Sequence, residues 1–247
     1  MKERLDKFIS SQTALSRKEA QKAIKDKRVT VNDAVMRIVD QKVDTDTDVI
    51  ALDGKPMTYQ KHVYYMMHKP SGVVSATEDR SERTVLDILP PEMYRDGLFP
   101  AGRLDKDTTG LLILTDDGDY AHRMLSPKKH VVKRYIATLD REPNEKIIPA
   151  FAEGIILGDG TVCKSGHAEL LEGNRVAVEI SEGKYHQVKR MFAALGYKVT
   201  ALERVRIGAL ALDENLRSGE VKELTKEQAA LVFAPSNNFT PLNIKEL

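Results

Sequence analysis

Arg103 and Asp105, one residue apart, stand just ahead of a glycine and a solid apolar run in the stretch AGRLDKDTTGLLILTDDGD, residues 101–119. A carboxylate there is either one end of a loop salt bridge or a reactive group held ready by its own chain. The second use needs a rigid support, because a nucleophile or base must be held close to its target geometry. The run GLLILT, residues 110–115, reads as a strand buried on both faces. Gly110 suits a tight entry, and DDGD ends the strand in a turn. Asp105 is therefore expected on a loop presented by a core strand, the usual way a scaffold offers a reactive group.

Farther along, NRVAVEI alternates Val176, Val178 and Ile180 on one face of a strand. YHQVKRMFAALG follows as a helix, with Val188, Met191, Phe192 and Leu195 spaced for one apolar stripe and Gly196 just past its end. Lys189 and Arg190 lie near its start, off that stripe. In YKVTALERVRIG, period two places Lys198, Arg204 and Arg206 on one strand face, a basic wall opposite the Asp105 loop. DYAHRMLSP reads as a short helix stopped by Pro127. Other features carry less. GIILGDG lacks the Lys-Ser/Thr of a phosphate loop, His186 has no second ligand at metal spacing, and Cys163 has no evident base beside it. Asp44, Asp46 and Asp48 have the one-three-five spacing of a calcium loop. Val49 and Lys55 occupy the places of its glycine and glutamate, so no metal site is assigned.

The 247 residues suffice for one large domain or two smaller ones, and the 41% hydrophobic and 30% charged composition is that of a globular protein. No apolar run approaches the roughly 18 residues that would span a bilayer. MKERLDKF has no apolar signal core, and a lone cysteine permits no internal disulfide, so a cytoplasmic location is expected. The net charge of +1 hides an uneven distribution: residues 1–28 hold nine Lys/Arg and four Asp/Glu, whereas residues 29–61 hold six Asp and four Lys/Arg. In the basic head, Ser16 and Glu19 form a capping box. Ala20, Ala23 and Ile24 turn inward from the helix, and Lys18, Lys22 and Lys25 share another face. Like charges so close suit a polyanionic partner. Val29 and Val31 alternate into a strand, Asn32-Asp33 has turn chemistry, and DGKPMTYQKH, residues 53–62, reads as a linker. VYYMMHKPSGVVSA then opens a second domain on an apolar strand.

RLDKFISSQTALSRKEAQKAIKDKRVTVNDAVM resembles the S4 RNA-binding domain over about residues 3–53. GRLDKDTTGLLILTDDG, KRYIATL and EGKYHQVKRMFAALG, in that order, resemble the RNA pseudouridine synthases of the RsuA type. The resemblance implies an α+β protein: an S4-like RNA-binding domain (residues 1–60), a larger mixed, mainly antiparallel sheet domain of the synthase type with flanking helices and a basic cleft (61–235), and a C-terminal tail (236–247). It makes Asp105 the catalytic aspartate, Arg103 its neighbour in the base-flipping loop, Tyr135 the aromatic that packs on the target base, and Lys189 the basic partner of the aspartate. The expected RNA contacts are Arg4, Arg17, Lys18, Lys22, Lys25 and Arg28 in the head, and Arg190, Arg204 and Arg206 in the cleft. YHQVKRMFAALG and TDDGDYAHRMLSP look closer to the small-subunit enzymes, which points to 16S rRNA, met as part of a small-subunit assembly intermediate by a monomer.

Converting uridine to pseudouridine exchanges a bond from C1′ to N1 for one from C1′ to C5, so neither cofactor nor metal is expected. It needs an ionised carboxylate, to attack C1′ or to remove the C2′ proton. A 23S rRNA target, or a non-catalytic S4 protein of ribosome assembly, are the alternatives; the second has no need of Asp105, Tyr135 and Lys189 together. A nucleoside hydrolase would need an activated water and normally a second carboxylate or a metal.

Overall fold

The computed structural model describes residues 2–235. The tail, residues 236–247, lies outside them. Strand β1 (Lys2–Arg4) leads into helix α1 (Leu5–Gln12), and helix α2 (Arg17–Lys25) starts at the predicted capping box. Ser16 Oγ accepts from the Glu19 N–H, and the Glu19 carboxylate accepts the Ser16 N–H at 2.8 Å. The two helices bury Leu5, Phe8 and Ile9 against Ala20, Ala23 and Ile24. Strands β2 (Val29–Val31) and β3 (Ala34–Val35) form a hairpin through Asn32 and Asp33, both in the left-handed region that such a two-residue turn requires. Strand β4 (Lys42–Asp44) pairs with β1, and β5 (Ile50–Leu52) pairs with β2. Between them the acidic run is a turn, in which Asp48 accepts the Asp44 N–H at 2.7 Å.

The linker is shorter than its composition suggests. Asp53 (φ 51°) and Gly54 (φ 76°) make a second hairpin turn, and Lys55–Met57 continues as strand β6 on the edge of the sheet β3-β2-β5-β6. Asp-Gly is a strong hairpin signal, and an edge strand tolerates Pro56.

The larger part is one nine-stranded sheet. Its elements are β7 (Tyr64–Lys69), β8 (Phe99–Ala101), β9 (Thr109–Thr115), α3 (Gly118–Leu125), β10 (Lys133–Leu139), α4 (Ile147–Glu153), β11 (His167–Leu170), β12 (Arg175–Ile180), α5 (Gln187–Ala194), β13 (Val199–Ile207), β14 (Leu210–Ala211), β15 (Val221–Glu223) and α6 (Lys226–Ala230). The order is β11-β12-β10-β13-β9-β7-β15, with β8 paired to β9 and β14 to β13. Pairing is antiparallel except between β13 and β9. Strand β9 is buried on both faces, as its composition requires. Leu112 and Leu114 join the core that holds Tyr135, Val178 and Phe192, while Leu111 and Ile113 join a second core with Met66, Tyr120 and Ile207. Gly110 stands where β9 meets β13, and a Cβ there would lie 2.3 Å from the Arg204 carbonyl oxygen, so only glycine fits.

Strand β7 ends on Lys69, which is completely buried. Its Nζ donates to the carbonyl oxygens of Pro70 (3.0 Å), Lys106 (3.2 Å) and Thr108 (2.8 Å), tying the strand end to the loop 102–108. Burial pushes the Lys69 pKa down to about 8, against an ordinary 10.5. The unfolded chain therefore binds this proton more tightly than the folded one. The contribution of Lys69 to stability should be constant below about pH 8 and rise with pH from there to about 10.4. Titrating the Lys69 side-chain nitrogen by NMR should give a midpoint near 8; one near 10.4 would show that water reaches the ammonium.

Candidate active site

A cavity of about 510 Å³ opens between the loop 102–108, strand β10 and the segment leading into α5. Arg103, Asp105, Tyr135, Tyr185 and His186 all line it. The loop is pinned at Leu104, which is buried: its N–H donates to Ser75 Oγ at 3.0 Å, and that hydroxyl donates back to the Leu104 carbonyl at 3.0 Å. With Leu104 held inward, its neighbours Arg103 and Asp105 are left to face the cavity, Arg103 exposed and Asp105 partly buried. The Thr108 N–H closes the turn on the Asp105 carbonyl at 3.1 Å.

Helix α5 brings Lys189 to this loop. Its Nζ lies 3.3 Å from Asp105 Oδ2 and 2.5 Å from Asp107 Oδ1. Burial works to lower the Lys189 pKa, but the hydrogen bond to Asp107 and the charge of Asp105 outweigh it, leaving the ammonium above the ordinary lysine value. The bond from Lys189 in turn holds Asp107 below the usual carboxylate range. Tyr135, on β10, is nearly covered, pairs in register with Val178 and Arg204, and forms part of the cavity wall. The structure thus brings Asp105, Arg103, Tyr135 and Lys189 to one place.

The expected basic wall is not there. Strand β13 bulges: Arg206 pairs with Arg134 and Arg204 with Tyr135, so Val205 is the extra residue. Two arginines expected on one face are thereby turned to opposite faces. Arg204 is buried, with Nε donating to the Leu111 carbonyl at 2.9 Å. Arg206 is paired with Glu179 at 2.5 Å, in a network where Arg134 also reaches Glu179 (3.4 Å) and Glu169 (2.7 Å). Neither arginine stands on the exposed wall where RNA contacts were expected. Lys198 precedes β13 and is exposed. Arg190 is paired with Asp159 at 2.5 Å.

In the head, Arg4 and Arg17 converge on Asp6, a fully buried carboxylate that takes Nε of Arg4 at 3.0 Å, Nε of Arg17 at 3.2 Å and the Gln21 amide at 2.8 Å. Burial raises the Asp6 pKa, and these donors together outweigh it, leaving the group well below the usual carboxylate range. Arg28 is paired with Asp53. Lys18, Lys22 and Lys25 are exposed, with no ion pair to other described residues.

Sequence reasoning passed over two groups. His186, set aside for want of a second metal ligand, lies with Nε2 3.6 Å from Asp105 Oδ1. Its signal is positional: it falls between a glycine turn and an amphipathic helix start. Lys69 closes an apolar strand directly before Pro70, and nothing in composition distinguishes it from a solvated strand end. Among the described residues, no group of three His, Cys, Asp or Glu is arranged to hold a metal, and no helix is long and apolar enough to cross a membrane.

Family models place an S4 domain over residues 3–50 and an RNA pseudouridylate synthase over residues 63–194. An uncharacterized RNA pseudouridine synthase of Bacillus subtilis is 43% identical over 94% of this chain and 99% of its own length. The ribosomal small subunit pseudouridine synthase A of Yersinia pestis has the same identity and coverage, and that of Escherichia coli K12 is 43% identical over 93% of this chain and 99% of its own. A crystal structure of a pseudouridylate synthase superposes with a TM-score of 0.66 at 40% identity, covering 93% of this chain and 99% of that one. Carrying an S4 domain ahead of a synthase fold, the chain belongs to the RNA pseudouridine synthase family.

Proposed function

We propose that this chain isomerises a defined uridine of 16S ribosomal RNA, within a small-subunit assembly intermediate, with Asp105 as the catalytic carboxylate. The observation that carries the reading is a partly buried carboxylate in a cavity wall, 3.3 Å from the Lys189 ammonium, with Tyr135 in the same cavity. The relatives named as small-subunit enzymes support the choice of 16S rRNA.

The reaction breaks the bond from C1′ to N1, turns the uracil and joins C1′ to C5. The C5 hydrogen leaves as a proton and N1 gains one, so nothing is oxidised. Asp105 serves either by attacking C1′ or by taking the C2′ proton, and the Lys189 ammonium 3.3 Å away holds its carboxylate in position. Tyr135 holds the detached uracil by stacking, and its hydroxyl can move the C5 proton. A stacked uridine is out of reach, so the nucleotide is flipped, and the exposed Arg103 fills the space or binds the backbone. Residues 1–60 dock the RNA and residues 61–235 do the chemistry, in a monomer.

The direct test is tritium release from [5-³H]uridine-labelled rRNA. Release from 16S rRNA within small-subunit assembly intermediates but not from 23S rRNA, without free uracil, is the expected result. Release of free uracil would make the chain a hydrolase, and release from 23S alone would move the substrate.

Asp105→Asn should lower turnover at least about 100-fold while leaving RNA binding within a few-fold, since one charge is lost and the shape is kept. Appreciable turnover, after deamidation is excluded by mass spectrometry, would remove Asp105 from its role. Tyr135→Phe should keep substrate affinity and Tyr135→Leu should lose it; equal losses in the two variants would assign the work to the hydroxyl. Changing Lys18, Lys22 and Lys25 together to Ala should flatten the slope of log K against log salt by about two to three units, at roughly 0.7–0.9 per phosphate contact. An unaltered slope would turn that face towards protein or solvent.

A further inference from the structure

We propose that Tyr185 and His186 form a stacking platform for the nucleobase next to the flipped uridine. The inference rests on the isomerase reading and adds a subsite to it. Tyr185 is 77% exposed, the most exposed of the large hydrophobic side chains among the described residues, and it lies on the rim of the cavity that contains Asp105. It is not a loose surface ring. Its centroid is 3.8 Å from that of His186, with the planes 19° apart. His186 in turn reaches Asp105, its Nε2 lying 3.6 Å from Oδ1. An aromatic stack therefore runs from the reacting carboxylate out to solvent.

The segment is built to hold this shape. His186 has a left-handed backbone (φ 47°), uncommon for a residue with a side chain. The buried Gln187 braces the turn: its Oε1 accepts the Lys184 N–H at 2.8 Å and its Nε2 donates to Glu182 at 2.6 Å. Arg190 Nη1 adds a bond to the Tyr185 carbonyl at 3.3 Å. A tyrosine that merely covers surface needs none of this.

The chemistry of flipping identifies the occupant. When a uridine leaves the stack, its neighbour loses a stacking partner and shows a bare π face beside the mouth of the cavity. Tyr135, nearly covered, is engaged with the detached uracil, whereas Tyr185 offers a second, outer face. The exposed side chain of Arg103, which lines the same cavity, suits an adjoining phosphate. Stacking reads no base edge, so the platform accepts any base.

The test uses the full-length chain and a single-stranded oligouridylate carrying one 2-aminopurine. Wild type and Tyr185→Phe should quench the 2-aminopurine on binding. Tyr185→Leu should abolish the quenching and weaken binding about 5- to 150-fold. Equal quenching by the leucine variant, or none by wild type, overturns the platform and leaves the exposed ring to a protein partner. Tritium release from 16S rRNA by wild type reports on the isomerase reading separately. Tyr185-dependent quenching without release sinks that reading alone, and release with Tyr185-independent binding sinks the platform alone.

Discussion

The Lys69 ammonium is withdrawn from water, and its three N–H groups meet the carbonyl oxygens of Pro70, Lys106 and Thr108. The loop between them cannot move away without leaving a buried charge unpaired, which costs several kcal/mol. Strand β7, itself buried in the sheet, thus fixes the height of the Asp105 loop from below. The Ser75 hydroxyl, bonded twice to Leu104, fixes it from the side. The loop carrying Asp105 is thus tethered at Leu104 and at the Lys106 and Thr108 carbonyls.

Above that loop the charges balance closely. Two carboxylates share one lysine, and His186 stands beside the first. Lys189 lies nearer to Asp107 than to Asp105, so Asp107, which is far more exposed, holds the ammonium in place while Asp105 keeps a polar face turned to the cavity. Arg134 of β10 and Arg206 of β13 are bound to Glu169 and Glu179, and Arg204 to the Leu111 carbonyl. On the cavity wall Arg103 stands exposed beside Asp105.

The parts legible in the sequence were those set by local rules. The capping box at Ser16, the two-sided burial of residues 110–115 and the stripe of Val188, Met191 and Phe192 all depend on spacing within one element. The meeting of Asp105 with Lys189 came from a resemblance, since the two are 84 positions apart in number and no spacing rule joins them. Arg204 and Arg206 show where period-two reading fails: a single bulged residue, Val205, reverses the face of everything beyond it, and bulges leave no mark in composition. Lys69 and His186 were illegible for a different reason. Their roles come from what packs against them, the carbonyls of a loop some 37 residues away for one and the Asp105 carboxylate for the other.

The strand order has a consequence for biosynthesis. Every pairing in the head lies within residues 2–57, so it can close as soon as that much chain has left the ribosome. The large sheet pairs its first strand, β7, with its last, β15, and His68 bonds to Leu216 across 148 residues. Its edge stays open until almost the whole chain has been made, and long-range pairings of this kind form slowly. A nascent chain therefore carries a finished RNA-docking module well before it has a finished cleft.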